Sequence, residues 1–160
     1  MDPLAARLRA AALASLLLGG CGRSPAQRAG PGTAPSGYRT YQVNQQWDEP
    51  PGWRLAVTGI RCGAAATLAP GDTDADHVCL VAVRFTNEGN TSRPFTGTAD
   101  EPGPTWRICA YDAQGDEFHG HARPVDPTAP GASGGTDLVF EVPVGVDLRR
   151  VLVAQGMVRL

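Results

Sequence analysis

HVCLVAVRFTN, residues 77–87, sets Cys79, Val81, Val83 and Phe85 on one side of an extended chain and Arg84 and Thr86 on the other. That period of two is what a half-buried strand requires, and Asn87-Glu88-Gly89-Asn90 supplies the turn that ends it. Upstream, WRLAVTGIRC (53–62) alternates Trp53, Leu55 and Val57, and Ile60 and Cys62 keep to the same face if Gly59 marks a bulge. Downstream, residues 105–111 alternate Trp106, Ile108 and Ala110. Asp112-Ala113-Gln114-Gly115-Asp116 then turns the chain into residues 117–121, a hairpin. Residues 136–142 present Leu138, Phe140 and Val142 on one side, and 148–160 form a last apolar strand broken by Gly156. Weaker strands are read at 39–43 and 93–98.

Composition agrees. The chain has 160 residues, enough for one ordinary domain, and 20 glycines with 14 prolines favour strands joined by turns over a helical bundle. Helical periodicity is absent. Seven or eight strands between residues 38 and 160 predict an all-β protein, an antiparallel sandwich of immunoglobulin-like type, with a small β-barrel as the alternative. The 16 acids against 14 basic residues, every one of them arginine, give a net charge of −2, which argues against a nucleic-acid partner. A lysine-free chain rich in alanine, glycine and proline fits the codon usage of a GC-rich bacterial genome.

Residues 1–20 read as a secretory leader: Arg7 and Arg9, then the apolar run 10–18, too short to span a bilayer. It ends Leu18-Gly19-Gly20-Cys21, which resembles the lipobox of bacterial lipoproteins. In that family a diacylglycerol is transferred to the cysteine thiol, and cleavage then makes the cysteine the new amino terminus. The resemblance implies a lipid-attachment site at Cys21, an extracytoplasmic location on the outer face of the cell membrane and the membrane as a partner. Removing 1–20 takes away two arginines and one aspartate and shifts the net charge from −2 to −3. Residues 21–37 are rich in Gly, Pro, Ala and Ser without a hydrophobic pattern and read as a flexible tether, reaching roughly 20–25 Å. The domain proper is 38–160.

Within that domain, Val81-Ala82-Val83-Arg84-Phe85-Thr86-Asn87-Glu88-Gly89, then Tyr111-Asp112-Ala113-Gln114-Gly115, then Pro130-Gly131 leading into Gly135-Thr136-Asp137-Leu138-Val139-Phe140-Glu141-Val142-Pro143, follow one another in order. This series resembles the telokin-like extracellular domain of unknown function found in many Gram-positive lipoproteins. The resemblance implies an immunoglobulin-like sandwich, similar to secreted immunoprotective antigens, and brings no catalytic residues. The cysteines are a departure from that pattern.

Three cysteines follow Cys21. In an oxidising compartment two should pair, and Cys62 with Cys79 is the favoured couple, since one ends a strand and the other opens the next on inward faces. Closing that loop is worth about 3 kcal/mol in the chain-entropy model. The other pairings stay open, and Cys109 reads as a small buried hydrophobe.

Three patterns bear on chemistry. His119-Gly120-His121 puts two imidazoles on one side of a strand, a spacing that can chelate zinc or copper, with Asp116, Glu117 or His77 as further ligands if the fold assembles them. Asp72-Thr73-Asp74-Ala75-Asp76 opens like a calcium loop but lacks the required glycine and terminal glutamate, so it reads as an acidic surface loop. Gly131-Ala132-Ser133-Gly134-Gly135 satisfies the nucleophile-elbow expression without its strand-to-helix context, so Ser133 is not taken as catalytic. The expectation is a non-enzymatic, lipid-anchored binding module of the cell envelope needing no cofactor, its partner an envelope protein or surface ligand. Trp47 with Trp53 is a candidate aromatic anchor, although core filling is the preferred reading of Trp53, and the strand at 93–98 is a candidate edge for strand addition. The rival is a metal- or small-ligand-binding protein using His119 and His121.

Overall fold

A computed structural model describes residues 37–71, 73–95 and 106–160. The leader 1–20, Cys21, the tether as far as residue 36, Asp72 and Thr98 lie outside the described residues. The elements run β1 (Arg39–Gln42), β2 (Trp47–Glu49), β3 (Trp53–Ala64), α1 (Ala65–Leu68), β4 (His77–Asn87), β5 (Ile108–Asp112), β6 (Glu117–Ala122), β7 (Ser133–Glu141), β8 (Leu148–Val153) and β9 (Gly156–Arg159).

Hydrogen bonding orders the strands β1-β9-β8-β5-β6-β7-β4-β3-β2. β6 turns this ribbon into two layers. Its first half pairs with β5, through Phe118 with Ala110 and His119 with Cys109. Its second half pairs with β7, through Gly120 with Phe140 and His121 with Val139. The strand therefore crosses from one sheet to the other at Gly120, where a Cβ would sit 2.4 Å from the Phe140 ring, so only glycine lets the ring close over the corner. β1 and β2 end the ribbon unpaired with each other, so the fold is a sandwich and not a closed barrel. That margin is sealed by side chains: Tyr41 stacks on Trp47 at 4.9 Å, and the Trp47 ring covers Gly156.

The core lies between the layers. Leu55, Val57, Val81, Val83, Phe85, Leu138 and Phe140 from one sheet meet Ile108, Ala110, Val151, Val153 and Val158 from the other. Trp53 is edge-on to Phe85, Phe95 and Trp106, while Phe85 and Phe95 stack at 4.2 Å. The bulge falls where glycine makes it easy, with the register shifting between Val57 and Gly59.

Several expectations need correction. Among the described residues there are nine strands, because β2 carried no sequence signal and residues 148–160 form two strands. Ala154, at φ 57°, and Gln155 turn β8 into β9, and Gly156 opens the second strand. β1 pairs parallel to β9, so the sheet is not wholly antiparallel. Residues 93–98 are not a strand in their described part, where Arg93 makes an isolated bridge with Thr128. Trp47 and Trp53 are 5% and 1% exposed, so Trp47 fills the interior and is not a surface anchor, while Trp53 takes the core role preferred for it. Both inward placements follow from β2 pairing with β3 across Trp47 and Leu55.

Candidate functional site

Cys62 and Cys79 are direct register partners on β3 and β4 and form a disulfide. They lie side by side in one sheet, not across the sandwich. Cys79 is fully buried, but Cys62 is exposed, because β2 pairs only with residues 53–55 of β3 and leaves the strand at the sheet edge where Cys62 sits.

Cys109 occupies the outer face of the other sheet. Ile108 and Ala110 point into the core, so Cys109 and Tyr111 point away from it, joining Leu152, Met157 and Tyr38 in a small outer cluster. The hairpin turn is held by Asp112, whose Oδ1 accepts from the backbone N–H groups of Gln114 and Asp116, and by Gly115 at φ 87°. Pairing outward from Gln114 sets Tyr111 beside Glu117 and Cys109 beside His119.

Cys109, Glu117 and His119 thereby bring a thiol, a carboxylate and an imidazole within 4.8 Å of one another. His119 Nε2 lies 3.8 Å from Glu117 Oε1. The other carboxylate oxygen, Oε2, accepts from the Tyr111 hydroxyl at 2.9 Å, and Arg107 reaches both oxygens at 3.3 and 3.4 Å. Burial, followed by the Glu117 hydrogen bond, holds the Tyr111 phenol well above its ordinary range. Burial falls from a fully enclosed Cys109 to a Glu117 side chain 29% exposed and a His119 side chain 57% exposed.

His121 faces the same way as His119 but pairs with Val139 on the other sheet, and the three-residue cluster does not include it. Nor does it include His77, which opens β4, or Asp116, in the hairpin turn. Cys109 is the member sequence reasoning missed, although alternation from Ile108 and a turn centred on Gln114 carried the signal.

The remaining patterns stay apart. Ser133 starts β7, shares a 2.7 Å hydrogen bond with Thr86 Oγ1, and is followed by strand, not helix. Asp74 and Asp76 are exposed in the loop before β4, as an acidic surface loop should be. A cleft of about 380 Å³ opens at the β1–β2 margin beside Tyr41, Trp47, Glu49 and Gln155. Burial raises the Glu49 carboxyl above its ordinary value, partly offset by the Gln155 backbone N–H. Among the described residues no helix is long and apolar enough to cross a membrane.

No family model matches the chain, and no curated protein matches it. Among solved structures it is similar to an uncharacterised β-sandwich protein from Clostridium difficile 630, with a TM-score of 0.50 and 7% identity. The match covers 80% of this chain and 99% of that one. At that identity the likeness establishes the β-sandwich fold alone.

Proposed function

We propose that this chain is a bacterial lipoprotein whose Cys21 carries the membrane anchor. Residues 22–37 hold an immunoglobulin-like sandwich, similar to the telokin-like extracellular domain, just off the outer face. The sandwich is a non-enzymatic module that binds another component of the envelope. One observation carries the extracytoplasmic part of this reading: the Cys62–Cys79 disulfide, with Cys62 exposed to whatever redox buffer surrounds the protein. Such a bond persists in oxidising compartments and is rare in the cytosol. The lipobox-like Leu18-Gly19-Gly20-Cys21 points the same way.

The binding role rests on location and on the surface offered. Asn44, Gln46, Arg54, Thr58, Arg84 and Thr86 line a shallow groove on the outside of β3 and β4 whose surface is part polar and part apolar. Its polar side chains offer hydrogen bonds to a partner beside an apolar contact.

The test expresses the tagged full chain in a bacterial host and follows wild type and Cys21→Ser. Wild type should fractionate with membranes and recover a cross-linked envelope partner above background, while Cys21→Ser appears in the medium or as uncleaved precursor. Membrane retention of processed Cys21→Ser would refute the anchor. Recovery of no partner from intact, cross-linked envelopes would refute the module.

A further inference from the structure

We propose that Cys109, Glu117 and His119 form a binding site for a thiophilic divalent metal ion of the zinc class. The argument begins with donor chemistry. A thiolate, an imidazole and a carboxylate are the mixed S, N and O set that Zn²⁺ accepts, and the thiolate excludes the hard cations Ca²⁺ and Mg²⁺ as natural occupants.

Geometry supports the same ion. A tetrahedral Zn²⁺ with bonds of about 2.0–2.3 Å sets neighbouring ligand atoms roughly 3.3–3.7 Å apart. His119 Nε2 and Glu117 Oε1 are already 3.8 Å apart, and the three donor atoms all lie within 4.8 Å. Closing on an ion therefore needs the donor atoms to approach one another by at most roughly 1.1–1.5 Å, and His119, with its side chain 57% exposed, has room to move. The backbone is fixed by the β5–β6 register that sets Cys109 opposite His119.

The carboxylate is also oriented. The Tyr111 hydroxyl holds Oε2, and Oε1, which Arg107 also reaches at 3.3 Å, is the oxygen that faces His119. This is the outer-partner arrangement that positions a ligating carboxylate. Arg107 places a positive charge against the same carboxylate and so limits the affinity. On binding, the Cys109 S–H bond breaks, its proton passes to solvent and a sulfur–metal bond forms, with no change of oxidation state. Three protein ligands leave a fourth position for water or an external donor.

The probe is Co²⁺, titrated into the full chain carrying Cys21→Ser, so that with Cys62 and Cys79 joined Cys109 is the thiol that reports. One Co²⁺ per chain should bind with an intense thiolate-to-cobalt charge-transfer band and be displaced by Zn²⁺. Cys109→Ser should abolish that band. His119→Ala and Glu117→Gln, at partly exposed positions, should keep the near-ultraviolet circular dichroism of the fold and weaken binding about tenfold or more. His121→Ala should leave it unchanged. Absence of the charge-transfer band, His119→Ala binding within twofold of the parent, or His121→Ala weakening binding as much as His119→Ala would each overturn the site.

Discussion

Asn87→Ala should remove a large share of the stability of this sandwich. Asn87 ends β4 with no exposed surface, and its amide is fully used. Nδ2 donates to the carbonyls of Thr91 at 2.8 Å and Thr128 at 2.7 Å. Oδ1 accepts from the Gly89 N–H at 2.9 Å and from Arg93 Nε at 3.0 Å. One side chain thus joins the turn after β4, the bridge between Arg93 and Thr128, and, through the bonds from Arg93 to the carbonyls of Pro51 and Gly52, the start of β3. Three neutral hydrogen bonds at about 1 kcal/mol each and one to a charged donor at about 1.5–3 kcal/mol sum to roughly 5 kcal/mol. Domains of this size are stable by about 5–15 kcal/mol in all, so the variant should be marginal at room temperature. Urea unfolding followed by tryptophan fluorescence measures the loss, since Trp53 lies under the Arg93 guanidinium at 4.7 Å. The melting point should fall by about 20 °C. A loss below about 1.5 kcal/mol would refute the claim that these four bonds act together.

Gly120→Ala should cost about 1–3 kcal/mol, because its Cβ would overlap the Phe140 ring at the corner between the sheets. Gly59→Ala, with nothing within 4 Å of the added methyl, should stay within about 0.5 kcal/mol, and equal losses in chemical denaturation would refute the corner assignment. For Glu49, burial places the folded value above 4.5, so the unfolded state ionises first. Stability from the protonated carboxyl is complete below 4.5 and is lost as pH rises through the folded value. Glu49→Gln keeps an acceptor for the Gln155 N–H and should gain on wild type between about pH 4 and pH 7, read from urea midpoints; a constant difference would refute this.

How legible the fold was depended on strand length. Alternation marked β3, β4, β5 and β7 because each runs five residues or more with its core residues two apart. β2 has three, Trp47, Asp48 and Glu49, too few for a period to emerge, and one of its buried positions is a carboxylate. The paired strands β8 and β9 merged into one apolar run because the turn between them uses Ala154 in a left-handed conformation, which alanine does not announce. The Cys62–Cys79 pair was legible because a short connection between adjacent antiparallel strands keeps their near ends together. The chemistry of Cys109 was half legible: parity placed it opposite to Ile108, yet the lack of a helix start or of a basic neighbour beyond Arg107 argued for simple burial.

Sequence by itself determined the faces of the long strands and the Asp112–Gly115 turn and favoured Cys62–Cys79 among the open pairings, because these depend on contacts between residues near in the chain or on a period of two. Tertiary structure alone decided which sheet each strand joins. It set β1 parallel to β9, split β6 between two sheets at Gly120, and drew Tyr41 onto Trp47 at the open margin. It also placed the Tyr38 side chain against the outer cluster that holds Cys109. Most of those contacts join segments far apart in the chain, selected by which buried surfaces fit, and no local pattern encodes them.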